Sequence, residues 1–111
     1  MSPKRQRLGS FEGYVVAAVH RLADEAYGTL IIEDVEQLAG REISFGAVYT
    51  VLGRLEAKGL VESALGEATA QRGGRAKRYF RLTTAGESAL RDYLSELRSN
   101  ATKLAVLEVH S

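Results

Sequence analysis

Leu90, Leu94, Leu97, Ala101 and Leu104 follow one another at spacings of four, three, four and three. Leu90, Leu97 and Leu104 alone repeat every seven residues. This is the seam of a helix that packs lengthwise against a partner. In a chain of 111 residues the stretch from Leu97 to Val109 has too little of its own body to lie on. A helix left there alone would hold an apolar side in water, so a second copy of the chain is the better account. A homodimer is therefore expected, with Phe11, Tyr14, Leu90, Tyr93, Leu94, Leu97, Ala101 and Leu104 at its interface. Leu90 is also expected to reach the chain's own body.

The rest of the sequence divides into short amphipathic segments punctuated by glycine. After Ser10, a plausible N-cap, Phe11, Tyr14, Val15, Ala18, Val19 and Leu22 form one stripe of a first helix. A second helix is expected from Gly28 to Ala39, with Ile31, Val35 and Leu38 inward and Glu33, Asp34 and Glu36 outward. Gly40 fits a left-handed stop. Glu42 and Ile43 leave room for a very short strand. Ser44 caps a third helix, Phe45 to about Ala57, whose stripe is Val48, Leu52 and Leu55 with Val51 alongside. Gly59 ends it. Leu60 to Gly66 and Lys77 to Leu82 read as two strands around a loop, Glu67 to Ala76, rich in glycine and small polar residues. Thr84 with Glu87 makes a capping box for the long last helix.

Charge is the next constraint. The net charge is only +1, with 45% apolar and 26% charged residues, an ordinary balance for a globular domain. Its distribution is uneven. Arg72, Arg75, Lys77, Arg78 and Arg81 fall between Gln71 and Leu82 with no acid among them, and Lys4, Arg5 and Arg7 form a second cluster. Such a segment grips phosphates locally whatever the overall charge.

The order of helix, helix, short strand, helix, hairpin and long helix turns this into a mechanism. The second and third helices form a helix-turn-helix, and the hairpin after them is a wing. A recognition helix buries one face and leaves the other for the major groove. Here the free face carries Tyr49, Thr50, Gly53 and Arg54, with Gly46 and Ala47 small enough for close approach. Ser44, Phe45 and the neighbouring free amides sit where a helix N-terminus takes a phosphate. Tyr49 suits a phosphate contact, whereas Thr50 and Arg54 suit base edges, since arginine to guanine is the commonest specific pairing. In the hairpin, Arg72, Gly74, Arg75, Lys77 and Arg78 are the candidate contacts to phosphate or a narrow minor groove. Lys77, Tyr79 and Arg81 share one strand face, and Arg78, Phe80 and Leu82 the other, core-ward at Phe80 and Leu82.

Several segments together resemble a known family. They are Ala26-Tyr27-Gly28, Gly46-Ala47-Val48-Tyr49, Leu52-Gly53-Arg54-Leu55-Glu56, Lys58-Gly59-Leu60-Val61, and the run Gly73-Gly74-Arg75-Ala76-Lys77-Arg78-Tyr79-Phe80-Arg81-Leu82-Thr83. In this order they resemble PadR-family regulators over about Phe11 to Leu90, in the compact branch with a single C-terminal helix. The resemblance implies an α+β, mainly α, winged-helix dimer that binds operator DNA, often as a repressor, with the last helix contributing to dimerisation. Some compact relatives bind flat aromatic effectors in a pore that carries a tryptophan on the last helix. This chain has no tryptophan and only Tyr93 as an aromatic there, so a small aromatic effector is the weakest of the implied partners.

The expected organisation is a flexible basic arm over residues 1–9, a winged-helix domain over 10–83 and a dimerisation helix over 84–111. The expected partners are double-stranded DNA and a second copy, with no membrane, in the cytoplasm. The absence of cysteine agrees with a reducing compartment and excludes disulfides and thiolate metal sites. Neither a metal nor a cofactor is expected, and nothing sets a nucleophile beside a base, so an enzyme is not expected. The rival reading is a winged helix used only for protein contact, in which clustered arginines have no purpose.

Overall fold

The computed structural model of the chain describes residues 7–66 and 77–109. Four helices surround one two-stranded antiparallel hairpin: α1 (Ser10–Leu22), α2 (Gly28–Ala39), α3 (Phe45–Ala57), β1 (Val61–Leu65), β2 (Arg78–Leu82) and α4 (Thr84–Val109). A 3₁₀ turn, Ala23–Glu25, joins α1 to α2. The core lies where α1, α2, α3 and the inner face of the hairpin meet. It contains Val15, Val16, Val19, Ile31, Val35, Val48, Leu52, Leu55, Leu60, Val61 and Phe80, all nearly or wholly buried. The helical stripes predicted from spacing supply most of it. Leu38 is only partly buried.

Helix boundaries follow local chemistry. Gly40 stops α2 at φ 71 and Gly59 turns the chain after α3 at φ 77, conformations that a side chain would resist. The cap of α1 is Gly9 rather than Ser10: Glu12 reaches back to accept the Gly9 N–H at 3.0 Å. The cap of α4 is Thr83 rather than Thr84. The Thr83 hydroxyl accepts the Gly86 N–H at 3.0 Å and donates to the Gly59 carbonyl at 2.6 Å. Fixing α4 to the α3–β1 turn decides where that helix begins.

The short strand expected at Glu42–Ile43 does not form. The Ile43 N–H donates instead to the Glu36 carboxylate at 3.0 Å, which satisfies it without a ladder. An isolated antiparallel bridge joins Tyr27 to Tyr79, and the Phe80 N–H donates to the Ala26 carbonyl at 2.8 Å. The hairpin therefore docks on the entrance to α2. Its register pairs Val61 with Leu82, Ser63 with Phe80 and Leu65 with Arg78. Phe80 and Leu82 face the core side as alternation requires, while Arg78, on the same face, emerges at its exposed outer end.

Candidate nucleic-acid interface

Helix α3 is held by one face and open on the other. Ser44 caps it, its hydroxyl accepting the Ala47 N–H at 3.1 Å, and that amide is thereby taken. Val48, Val51, Leu52 and Leu55 are buried, whereas Phe45, Gly46, Thr50, Gly53 and Arg54 are exposed. Gly53 stands mid-helix, and a Cβ there would meet nothing within 4 Å. Glycine at such a place weakens a helix by about 0.5–1 kcal/mol relative to alanine. The fold itself does not ask for it. The result is a thin outer face that lets another backbone come close.

One edge of α3 is aromatic. Phe45 stacks on Tyr49, centroids 4.4 Å apart and planes 20° apart, and Tyr49 meets Phe80 edge-on at 6.1 Å. The Tyr49 hydroxyl lies over Gly28 at the start of α2, where a Cβ would overlap it. Tyr49 is thus a half-buried joint between α2, α3 and β2. Beside it, the Lys77 ammonium sits 4.1 Å from the Tyr27 ring centroid, a cation–π arrangement. Tyr27 in turn meets Tyr79 edge-on at 5.5 Å.

These groups line a cleft of about 530 Å³ between the first turns of α2 and α3 and the outer end of the hairpin, with Tyr27, Thr29, Phe45, Tyr49, Lys77 and Arg78 in its wall. Two cationic and three hydroxyl-bearing residues line it beside the first turn of α2. That set favours an anion, and a phosphodiester fits its chemistry. Tyr27 and Thr29 were not expected here. Only the docking of the hairpin on α2 brings them to the site, and no local spacing announces it. Of the expected site residues, Phe45, Tyr49, Lys77 and Arg78 meet at this cleft, Ser44, Gly46 and Thr50 are exposed along α3, and Arg54 is exposed on the flank of α3 nearer Glu12 of α1. Arg72, Gly74 and Arg75, expected at the wing tip, lie outside the described residues, as do Lys4 and Arg5 of the arm. Arg7 pairs with Glu96 of α4 at 3.3 Å.

The opposite flank of α3 carries a second charge cluster. Lys58 donates to Glu12 of α1 at 2.9 Å. Burial works to raise the Glu12 pKa. The Gly9 N–H, the Lys58 ammonium and the charge of Arg54 outweigh it and hold the carboxyl below its ordinary value. A lowered pKa means stability present above the ordinary carboxylate range and lost as pH falls through the lowered value. Glu12→Gln is expected to lower stability at pH 7 by about 0.2–1 kcal/mol, the range for a partly exposed pair. The difference from wild type should shrink as pH falls from 7 into the acid range and be lost below the lowered pKa. Thermal melts of both proteins across that range check this, and a deficit that persists in acid contradicts it.

Helix α4 leaves the body beyond Tyr93. Leu94, Leu97, Leu104, Val106 and Leu107 are exposed by 39%, 46%, 61%, 54% and 65%. The seam predicted from spacing is on the surface, and Val106 and Leu107 widen it. Leu90 is 6% exposed and packs in the chain's own core, as expected of it, which leaves it little surface to offer a partner. Tyr93 is half-buried, its ring over Gly13 of α1, and Phe11 and Tyr14 are partly buried against the same core. Ala101 is exposed with the distal seam.

A family model described as the PadR-like family of transcriptional regulators matches residues 17–92. The chain belongs to the PadR-like family. Among solved structures, a Streptococcus transcriptional regulator superposes with a TM-score of 0.70 at 18% identity, covering 87% of this chain and 90% of that one. A PadR family transcription regulator from Clostridium difficile gives a TM-score of 0.67 at 24% identity, covering 89% and 98%. A PadR-like transcription factor from Bacteroides fragilis gives 0.58 at 28% identity, covering 88% and 86%. A comparison with curated proteins gives no match. The PadR-like winged helix is thus the architecture, and DNA-binding transcriptional regulation, rather than catalysis, is the business of the family. Among the described residues no helix is long and apolar enough to cross a membrane, and no group of histidine and carboxylate residues could hold a metal ion.

Proposed function

We propose that this PadR-like chain is a sequence-specific repressor that binds a pseudo-palindromic operator as a homodimer. The observation that carries the reading is the surface of α3 and the outer end of the hairpin. A thin, exposed helix face bearing Thr50 and Arg54 lies beside a cleft lined by Tyr27, Tyr49, Lys77 and Arg78. In this reading α3 enters the major groove, and the cleft takes the flanking phosphate backbone. Two copies join along the exposed seam of α4 and present their α3 helices to half-sites about one helical turn apart, roughly 34–36 Å. A dimer seated in this way excludes other proteins from the same duplex, which is repression by occupancy.

The test is a titration of duplex DNA at several salt concentrations. Binding is expected to weaken steeply and linearly in log–log form, each phosphate contact contributing a slope of about 0.9. Arg54→Ala is expected to lose about 1–3 kcal/mol of discrimination between operator and random duplex while random-duplex affinity stays near wild type. Equal loss on both duplexes would remove Arg54 from base recognition.

A further inference from the structure

One acid stands on the hairpin-facing side of α3, where a phosphate-binding cleft has no use for negative charge. Glu56 is engaged there: the Ser63 hydroxyl of β1 donates to its carboxylate at 2.9 Å. With its proton committed to Glu56, the Ser63 oxygen turns a lone pair outward, and Arg78 of β2 donates an Nη1 hydrogen to it at 2.8 Å. The relay runs from the recognition helix through one hairpin strand to the cation at the outer end of the other. Register explains the reach: Ser63 is opposite Phe80, and Arg78 is two residues further along the same face of β2.

We propose that Ser63, oriented by Glu56, is a positioning residue that holds the Arg78 guanidinium ready for a DNA phosphate. The proposal rests on the DNA-binding reading above. A guanidinium has five N–H donors, so one bond to Ser63 leaves the others free to face an anion. A long side chain otherwise loses rotamer freedom when it docks, and a prior hydrogen bond removes part of that loss. Because the carboxylate faces Arg78 through the serine rather than directly, Arg78 is held without a direct salt bridge to Glu56. Its charge stays available to the cleft that it lines. Arg81, by contrast, is paired directly to Glu62 at 2.6 Å on the other face of the hairpin, and has no such role.

The experiment is a double-mutant cycle on the full chain, read as operator affinity and its salt dependence. Ser63→Ala is expected to weaken operator binding about three- to tenfold, the scale of ordering one long side chain. The salt slope should stay at the wild-type value, because the phosphate contact still forms once bound. Arg78→Ala is expected to flatten the slope by about 0.9, one phosphate contact. In the Arg78→Ala background, Ser63→Ala is expected to have no further effect, and Ser63→Thr, which keeps the hydroxyl, should bind like wild type. Melting temperatures of the exposed-site variants are expected to stay close to wild type. Ser63→Ala binding as tightly as wild type overturns the proposal, as does an undiminished loss in the Arg78→Ala background. Either result leaves the DNA reading intact if wild type binds duplex, whereas wild type ignoring duplex removes both.

Discussion

Replacing Leu97 and Leu104 together by aspartate is expected to leave the fold intact, convert the protein to a monomer and lower operator affinity on the order of 100-fold or more. The two leucines are 46% and 61% exposed in the single chain, and α4 is exposed from Leu94 to Glu108. A charged residue at either place meets water in the monomer and disturbs no packing. In a dimer joined along this seam it buries an unpaired carboxylate, which is strongly unfavourable. Loss of the dimer removes the second half-site contact, and linked contacts of this kind commonly contribute two to four powers of ten. Sedimentation, a thermal melt and a duplex titration on the same material check the three parts. A variant that remains dimeric would place the interface elsewhere on the molecule.

Gly86→Ala is expected to destabilise the fold by about 2–3 kcal/mol, near the upper end of what overpacking a core costs. Gly86 is buried in the first turn of α4, and a Cβ there would overlap the Leu60 carbonyl. The obstacle is backbone, so no rotamer change relieves it. The same junction is tied by the Thr83 N–H to the Leu60 carbonyl at 3.0 Å and by the Thr83 hydroxyl to Gly59. Accommodating one methyl group means moving α4 away from the α3–β1 turn. That movement also changes how a dimer built on α4 spaces its two α3 helices, so operator binding should fall with stability. Gly53→Ala is the contrast. Its Cβ meets nothing within 4 Å, and helix propensity alone should raise stability by about 0.5–1 kcal/mol. Any closely seated duplex should nevertheless bind it less well. Urea denaturation curves of the two variants should therefore shift in opposite directions. A stable Gly86→Ala protein would contradict the packing described for α4.

What the sequence makes legible is whatever is written in short-range spacing. The stripes of α1, α2 and α3, the Ser44 cap, the glycine stops at 40 and 59 and the alternation at Phe80 and Leu82 all depend on residues a few positions apart. The two misplaced helix caps show the limit. Glu12 selects Gly9 over Ser10 by reaching its N–H, and Thr83 is selected by a bond to Gly59, a residue on another element. The short strand after Gly40 fails because Glu36 supplies a side-chain acceptor to Ile43, an option that strand propensity does not register. The site divides in the same way. The open face of α3 and the cations at the outer end of the hairpin were readable as a pattern. The joining of Tyr27, Tyr49 and Lys77 around one cleft was not, because Tyr27 and Tyr79 are far apart in sequence and meet only through the docking of the hairpin. Leu90 illustrates the converse: its heptad position is that of Leu97, but proximity to the body puts it in the core.

The most direct measurement is selection of bound duplexes from a random pool by the purified protein. The account predicts enrichment of an inverted repeat, its two halves centred about one turn of the double helix apart. Recovery of nothing above background in dilute buffer would mean that the exposed side of α3 and the lysine–arginine edge of the hairpin are built for something other than DNA.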